Sequence, residues 1–228
     1  MKVVVSVGGS VLAPDLEPDR VADYAAAVQS LDEAGHTLGA VVGGGPTARE
    51  YIGTARELGA NEIELDQLGI AVTRLNARLL IAALGGRAAS PPAESYDEGR
   101  QAIRRGDIPV LGGIVAAQTT DAVAAAFAEY VDADLLVYAT SVDGVYDADP
   151  KQDGDATRFD QLPAGELVDI IADMEMDAGS NAPVDLLAAK VIQRSGIRTV
   201  VLDGTDPNRL VRAVEDGEFD GTEITPEG

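Results

Sequence analysis

Three glycine-rich segments follow apolar, strand-like runs in the sequence, and each could surround a phosphate group. They are Gly8-Gly9-Ser10 after Val7, Gly43-Gly44-Gly45 after Val42, and Gly112-Gly113 after Leu111. Glycine lets backbone N–H groups approach an anion closely, and the N-terminus of a following helix adds a favourable dipole. In open parallel sheets, ligands bind at the carboxyl ends of the strands. The sequence therefore predicts one anion-binding cleft lined by the three glycine loops.

The spacing of these glycines differs from two common phosphate-binding motifs. The pattern G-x-x-x-x-G-K-[ST] is absent, and no lysine follows a glycine, which disfavours a P-loop NTPase. Gly43-x-Gly45-x-x-Ala48 satisfies the relaxed dinucleotide fingerprint. That fingerprint also requires an acidic residue about 20 positions on, after a second strand. Asp66 stands near that distance but in helix-like sequence, so a dinucleotide-dependent oxidoreductase is disfavoured.

Strands and helices that would position these loops alternate along the chain. Strands are expected at 2–7, 37–42, 108–111, 135–139 and 198–202, and helices at 19–33, 46–58, 62–84, 97–105, 121–131, 162–172, 185–195 and from 207 to about 217. Gly69 is expected to bend or divide its helix, and residues 142–160 to form a β-hairpin or structured loop. The alternation predicts an α/β fold, a three-layer α/β/α sandwich with a central, mostly parallel sheet, as a single domain over 1–228.

Composition excludes several other classes of protein. The chain has no cysteine, which excludes a disulfide scaffold, a cysteine zinc site and a cysteine nucleophile. Its 39 acidic and 17 basic residues give a net charge of −22, so we expect it to bind neither nucleic acid nor an anionic membrane. No apolar run approaches the roughly 18 to 20 residues of a membrane span, and no signal peptide is recognisable. We therefore expect a cytoplasmic protein.

The same acidity predicts adaptation to a salt-rich cytoplasm. Lysine occurs only at positions 2, 151 and 190, and the sequence pI is about 4.1. Dissolved counterions would screen a repulsion that otherwise opposes the compact state. An acidic but otherwise ordinary soluble enzyme is the alternative.

The glycine loops and further motifs follow one another over essentially the whole chain. They are Val7-Gly8-Gly9-Ser10, Gly43-Gly44-Gly45-x-x-x-Arg49, Gly112-Gly113-x(5)-Thr119-Thr120-Asp121-Ala122-Val123-Ala124-Ala125, Thr140-x-Val142-Asp143-Gly144-Val145-Tyr146-x-x-Asp149-Pro150, Asp185-x-x-Ala188-Ala189-Lys190 and Gly221-Thr222-x-Ile224. This order resembles the amino acid kinase superfamily and, within it, the archaeal-type uridylate (UMP) kinases. The resemblance implies transfer of the ATP γ-phosphoryl group to UMP, giving UDP and ADP, with Mg²⁺ as cofactor.

The resemblance also implies roles for individual residues. The implied ATP-binding residues are Gly9, Ser10, Gly45, Arg49, Thr140, Tyr146 and Asp149. The implied UMP-binding residues are Gly44, Asp66, Ile114, Val115, Ala116, Ala117, Gln118, Thr119 and Thr120. Arg49 and Asp121 are the implied catalytic residues, and no side chain is assigned as a direct metal ligand. Simpler interpretations stay open: a solvated carboxylate for Asp66, and helix N-caps for Thr119, Thr120 and Asp121.

Two positions depart from the superfamily pattern. Many members carry a Lys two residues before the first glycine pair, where this chain has Ser6. Another catalytic Lys of the superfamily aligns with Asp185, and Lys190 is expected to lie on a helix surface instead. Neutralisation of the phosphate charge must then depend on Arg49, Mg²⁺ and backbone dipoles.

Alternative functions on the same fold remain open. One is another small-molecule phosphate or carboxylate kinase, such as an isopentenyl phosphate kinase, although residues 46–50 lack the His of that enzyme. The other is a non-catalytic nucleotide- or anion-binding protein.

The resemblance implies that the two parts of the chain bind different substrates and that the protein forms an oligomer. Residues from 1 to about 130 would serve mainly UMP binding and dimerisation, and those from about 131 to 228 mainly ATP binding. Residues 62–84 carry more apolar side chains than one helical face requires, which favours a homo-oligomer. By resemblance, it would be a hexamer formed as a trimer of dimers.

Overall fold

A computed structural model describes residues 1–148, 153–176 and 184–226, in which helices cover both faces of a seven-stranded sheet. The strands are β1 (Lys2–Val7), β2 (Thr37–Val42), β3 (Val110–Leu111), β4 (Leu135–Thr140), β5 (Gln161–Pro163), β6 (Thr199–Asp203) and β7 (Gly221–Thr225). The helices are α1 (Gly9–Leu12), α2 (Pro18–Glu33), α3 (Gly45–Glu57), α4 (Glu62–Leu84), α5 (Tyr96–Arg105), α6 (Thr120–Tyr130), α7 (Ala164–Met176), α8 (Leu186–Ser195) and α9 (Pro207–Glu215). The predicted α/β fold is confirmed.

The strand order is β3-β2-β1-β4-β6-β7-β5, and β7 runs antiparallel to β6. Strand β1 pairs in parallel with both β2 and β4, so that Val7 lies between Val42 and Ala139. Strand β3 extends the parallel set through Val41 and Leu111. The carboxyl ends of these four strands therefore meet at one edge of the sheet.

Strand β1 is buried on both faces because successive side chains point to opposite sides of a sheet. Val3, Val5 and Val7 pack in the core formed with α2, α4 and α9. Val4 packs in a second core, formed with α6, α7 and α8. The double burial explains why the strand is a continuous apolar run rather than an alternating one.

Helix α4 is continuous, so the expected division at Gly69 is wrong. A capping box between Asn61 and Glu64 begins the helix, and a Cβ at Gly69 would lie 3.4 Å from Cδ1 of Ile52 in α3. By length and composition alone, residues 62–87 could span a membrane, with a mean hydropathy of 1.4. The expectation that no segment of the chain is apolar enough for a membrane span is therefore wrong. Helix α4 packs instead against α2, α3, β2 and β3, as a core helix does.

Several boundaries differ from the prediction. Strand β3 is shorter than expected because Ile108 forms only an isolated bridge with Ala88. Helix α7 starts at Ala164 because residues 161–163 form β5. An antiparallel bridge between Tyr146 and Arg158 supports the expected hairpin, part of which lies outside the described residues.

Candidate active site

A cleft of about 210 Å³ lies at the carboxyl edge of the sheet. Its lining residues come from the ends of β1, β2 and β4 and from the first turns of helices, and they are Ser6, Gly8, Gly9, Ser10, Gly43, Gly44, Gly45, Arg49, Thr120, Asp121, Thr140 and Ser141. The third predicted loop does not line this cleft, because Gly112 packs closely against α4. The structure thus brings two of the three glycine loops together with both predicted catalytic residues.

The β1 and β2 loops are in direct backbone contact. A Cβ at Gly9 would lie 2.2 Å from the backbone nitrogen of Gly45 and 2.5 Å from the carbonyl oxygen of Gly43. Gly45 has a φ of +64°, and a Cβ there would lie 2.5 Å from the carbonyl carbon of Gly9. Any side chain at these two positions would force the loops apart, and at Gly45 the backbone conformation favours glycine as well.

Arg49 lies in the first turns of α3 and is exposed to the cleft. Pro46 occupies the start of this helix, where its missing N–H removes no hydrogen bond. Within the described parts of the chain, no carboxylate lies in ion-pair distance of the Arg49 guanidinium. Its charge, together with the N-terminal dipole of α3, therefore remains available to an anion.

Asp121 lies in the first turn of α6 and lines the cleft beside Ser6. Burial raises the pKa of the Asp121 carboxyl to about 7, and the negative charge of Asp185 adds to the rise, whereas a hydrogen bond with Ser6 lowers it. The Asp121 carboxyl is therefore partly protonated near neutral pH. Ser6 is 4% exposed.

Thr119 and Asp185 connect the N-termini of α6 and α8. Thr119 is the N-cap of α6, accepting a hydrogen bond from the N–H of Ala122 at 3.1 Å, and its hydroxyl donates to Asp185. Asp185 in turn caps α8 by accepting from the N–H of Ala188 at 3.0 Å. The capping interpretation is thus confirmed for Thr119 and wrong for Thr120 and Asp121, which lie inside the first turn of α6.

Asp66 and residues 114–119 lie beside the cleft rather than in its wall. The Asp66 carboxylate accepts a hydrogen bond from the N–H of Ala117 at 2.7 Å, so the freely solvated interpretation of Asp66 is wrong. Ala117 has a φ of +64°, which is uncommon for a residue with a side chain. Thr120 lines the cleft, whereas the other predicted residues of the segment do not, namely Ile114, Val115, Ala116, Ala117, Gln118 and Thr119.

Thr140 is the last residue of β4, and Tyr146, which does not line the cleft, lies in the segment that follows this strand. Thr140 lines the cleft, and its hydroxyl oxygen accepts from the N–H of Val142 at 3.0 Å. Tyr146 donates its hydroxyl to Asp143 at 2.8 Å, and Asp143 forms an ion pair with Arg158 at 3.0 Å. Asp149, the remaining predicted ATP-binding residue, lies outside the described residues.

Two buried polar residues of α4 that were not predicted contact the glycine loops. Asn76 donates to the carbonyl oxygens of Gly43 and Gly44, and Thr73 accepts from the N–H of Gly113. The sequence signal for them was a pair of polar residues, three positions apart, on a helix face that is otherwise apolar. Lys190 is exposed on α8, as predicted.

This arrangement of strand ends and glycine loops is shared with known proteins. Residues 1–203 match the amino acid kinase family over most of the chain. The chain belongs to the amino acid kinase family. Among family members, the uridylate kinase of Haloarcula marismortui is 85% identical over 227 residues, covering 100% of each chain. The uridylate kinase of Halobacterium salinarum is 68% identical over 228 residues, covering 100% of this chain and 95% of its own.

Solved structures give the same assignment of the fold. The crystal structure of uridylate kinase from Archaeoglobus fulgidus matches with a TM-score of 0.89 and 44% identity, covering 99% of this chain and 100% of its own. The UMP kinase structure from Bacillus anthracis matches with a TM-score of 0.80 at 22% identity, covering 100% of this chain and 96% of its own. The amino acid kinase fold and the similarity to archaeal uridylate kinases, both predicted from the sequence motifs, are confirmed.

Proposed function

We propose that this amino acid kinase is a uridylate kinase, which transfers the γ-phosphoryl group of ATP to UMP and releases UDP and ADP. The observation that carries the proposal is the 85% identity to an archaeal uridylate kinase over the full length of both chains. The cleft supports it, because phosphoryl transfer depends on positioning two anionic substrates and neutralising their charge rather than on covalent chemistry.

On the ATP side, the proposed binding residues are those where the two glycine loops meet. Gly9, Ser10 and Gly45 would direct backbone N–H groups at the phosphates, and Arg49 would supply the fixed positive charge. Thr140, Tyr146 and Asp149 would surround the adenosine part. Arg49 is the proposed catalytic cation, because no lysine lines the cleft in the described parts of the chain.

The donor set of the cleft fits Mg²⁺ carried by the nucleotide. Among the described residues, no group of three or more acidic, His or Cys side chains could hold a metal ion on its own. Mg²⁺ usually binds through one or two carboxylates together with substrate phosphates and water. When bound it would neutralise phosphate charge, and Asp121 is the cleft carboxylate placed to hold a metal-bound water.

On the UMP side, the proposal places the nucleotide between Gly44, Asp66 and the segment 114–120. One oxygen of the Asp66 carboxylate accepts from Ala117, which leaves further lone pairs for ribose hydroxyl groups. The N-terminus of α6, with Thr120 facing the cleft, would receive the UMP phosphate.

We further propose a single domain acting as a cytoplasmic homo-oligomer. Residues from 1 to about 130 would bind UMP and form the dimer, and those from about 131 to 228 would bind ATP. Support for assembly comes from large apolar side chains that are exposed on α3, on α4 and between them, namely Tyr51, Leu58, Ile63, Leu75 and Leu79. A hexamer built as a trimer of dimers is the proposed form.

A coupled assay of ADP formation tests the function. Purified protein in molar KCl with Mg²⁺ and ATP is offered UMP, CMP, AMP, isopentenyl phosphate or carbamate. We expect UMP to give the highest kcat/KM by a wide margin. Equal turnover of CMP or AMP would contradict UMP specificity. A preference for isopentenyl phosphate or carbamate would identify another kinase of this fold. ATP binding without turnover of any acceptor would identify a binding protein.

A further inference from the structure

Asn76 lies on the buried face of α4, behind the loop that follows β2. It is 3% exposed, and its side-chain amide donates to the carbonyl oxygen of Gly43 at 2.9 Å and to that of Gly44 at 3.2 Å. Asn76 is not among the residues that line the cleft, whereas Gly43, Gly44 and Gly45 all are. Any effect of Asn76 on a bound substrate must therefore pass through this loop.

These hydrogen bonds fix the orientation of two consecutive peptide groups. In a planar trans peptide, the C=O of one residue and the N–H of the next point in opposite directions. Holding the Gly43 and Gly44 carbonyls toward Asn76 therefore turns the N–H groups of Gly44 and Gly45 away from α4. Gly44 and Gly45 line the cleft and Asn76 does not, so these N–H groups point to the side of the loop away from Asn76.

The loop consists of three consecutive glycines, and the Gly44 carbonyl also accepts a hydrogen bond from the N–H of Ala48 at 3.3 Å, at the start of α3. Glycine reaches conformations that other residues avoid, so a peptide group between two glycines can flip with little steric resistance. A flipped peptide would direct a carbonyl oxygen into the cleft and repel a phosphate. The two hydrogen bonds from Asn76 oppose that flip at both peptides.

Thr73 fixes α4 against the third glycine loop on the same helix face. Its hydroxyl oxygen accepts from the N–H of Gly113 at 2.7 Å, and its hydroxyl donates to the carbonyl of Ile70 at 2.7 Å. Thr73 and Asn76 are separated by about 4.5 Å along the helix axis, at 1.5 Å per residue. The spacing between the second and third loops is therefore set by one rigid helix.

We propose that Asn76 is a positioning residue for phosphoryl transfer: its amide holds the Gly43-Gly44-Gly45 peptides with their N–H groups toward the substrate phosphates. This inference rests on the proposed kinase function and deepens it. Asn76 touches no substrate, and its contribution is to keep carbonyl oxygens out of the cleft.

The test compares Asn76→Leu with Gln29→Leu. The first substitution removes the amide donor and keeps the number of side-chain heavy atoms. The second removes a similar amide-to-carbonyl hydrogen bond, from Gln29 in α2 to Leu84 at the C-terminal end of α4, at 3.1 Å. Asn76→Ala serves as a second variant if Asn76→Leu does not fold. The measurements are Tm, kcat and KM for UMP phosphorylation, and the Kd of Mg-ATP by calorimetry in the absence of UMP.

We expect Asn76→Leu to lower kcat by roughly 10-fold to 100-fold, below the range for losing a direct oxyanion donor, and to weaken Mg-ATP binding by about 5-fold or more. Gln29→Leu should lower the Tm by a similar amount and leave kcat and the Kd within about 2-fold of the unaltered protein. Wild-type kcat and Kd in the Asn76 variants, or equal losses in the Gln29 variant, would overturn the inference. If the unaltered protein does not phosphorylate UMP, the proposed function fails, and the Mg-ATP affinities alone decide the inference.

Discussion

Replacing Asp121 with Asn is expected to raise the free energy of unfolding and to lower the turnover of UMP. Burial and the charge of Asp185 raise the pKa of the Asp121 carboxyl to about 7 from an ordinary value of 3.8. The folded state therefore holds this proton more tightly than the unfolded state does. Folding stability is then highest below the unfolded pKa and decreases as the pH rises from about 4 to about 7, above which the loss is complete. Asn cannot ionise, so the variant avoids that loss.

The magnitude follows from the difference between the two pKa values. A difference between 3.8 and about 7 corresponds to roughly 4 kcal/mol as an upper limit. Structural relaxation around Asp121 and screening of the Asp185 charge in strong salt reduce this value, so we expect a gain of about 1 to 3 kcal/mol at pH 8. For a chain of 228 residues, that gain raises the Tm by roughly 2 to 4 °C per kcal/mol.

The assay is thermal unfolding of both proteins by circular dichroism in 2 M KCl, without substrates, between pH 5.5 and 8.5. The Tm advantage of Asp121→Asn should shrink by the equivalent of about 1 kcal/mol per pH unit below pH 7. Asp216→Asn, at the exposed end of α9, controls for the loss of one negative charge. Turnover of UMP should fall by roughly 10²-fold in the Asp121 variant only. A Tm difference that is independent of pH, or a less stable variant at pH 8, would refute the reasoning.

Three further predictions concern charge and assembly. Arg49→Ala should lower kcat by roughly 10²-fold. Arg56→Ala is the control, because it breaks only an exposed ion pair with Glu62 and should leave kcat unchanged. Equal kcat values in the two variants would remove Arg49 from the mechanism. Light scattering in high salt should give a mass above the 23.6 kDa of one chain, and Leu75→Glu with Leu79→Glu should reduce it; a monomeric unaltered protein would contradict the assembly. Raising KCl from 0.05 M to 2 M should raise the Tm and lower the KM values for ATP and UMP. The reason is that the Debye length falls to about 3 Å near 1 M, which screens the repulsion among the acidic side chains and between the protein and its substrates. A Tm and KM values that do not change with KCl would exclude salt adaptation.

Much of the sheet was predictable because β1, β2 and β4 are short apolar runs, and the first two are followed by glycine. Val3, Val4 and Val5 could only be a strand buried on both faces, and the structure places them in two cores. The continuity of α4 through Gly69 was not predictable from local propensity. A glycine within a helix costs about 1 kcal/mol relative to alanine, and here the close packing of Ile52 from α3 favours the helix instead.

The candidate site was predictable in its loops and less so in its supporting side chains. Gly9 and Gly45 could be identified because the glycine pattern is local. The hydrogen bonds of Asn76 could not be predicted, because its partners Gly43 and Gly44 lie outside α4 and only the fold brings them close to it. The raised pKa of Asp121 has the same origin, because it depends on burial and on Asp185 from the start of another helix.

The backbone contact between the β1 and β2 loops also determines which parts of the protein can be re-engineered. A methyl group on Gly9 or Gly45 would come within about 2.5 Å of main-chain atoms, and no second substitution can remove a main-chain atom. A library intended to change the nucleotide preference should therefore keep both glycines fixed. It can vary Thr140, which lines the cleft from the end of β4, outside this contact.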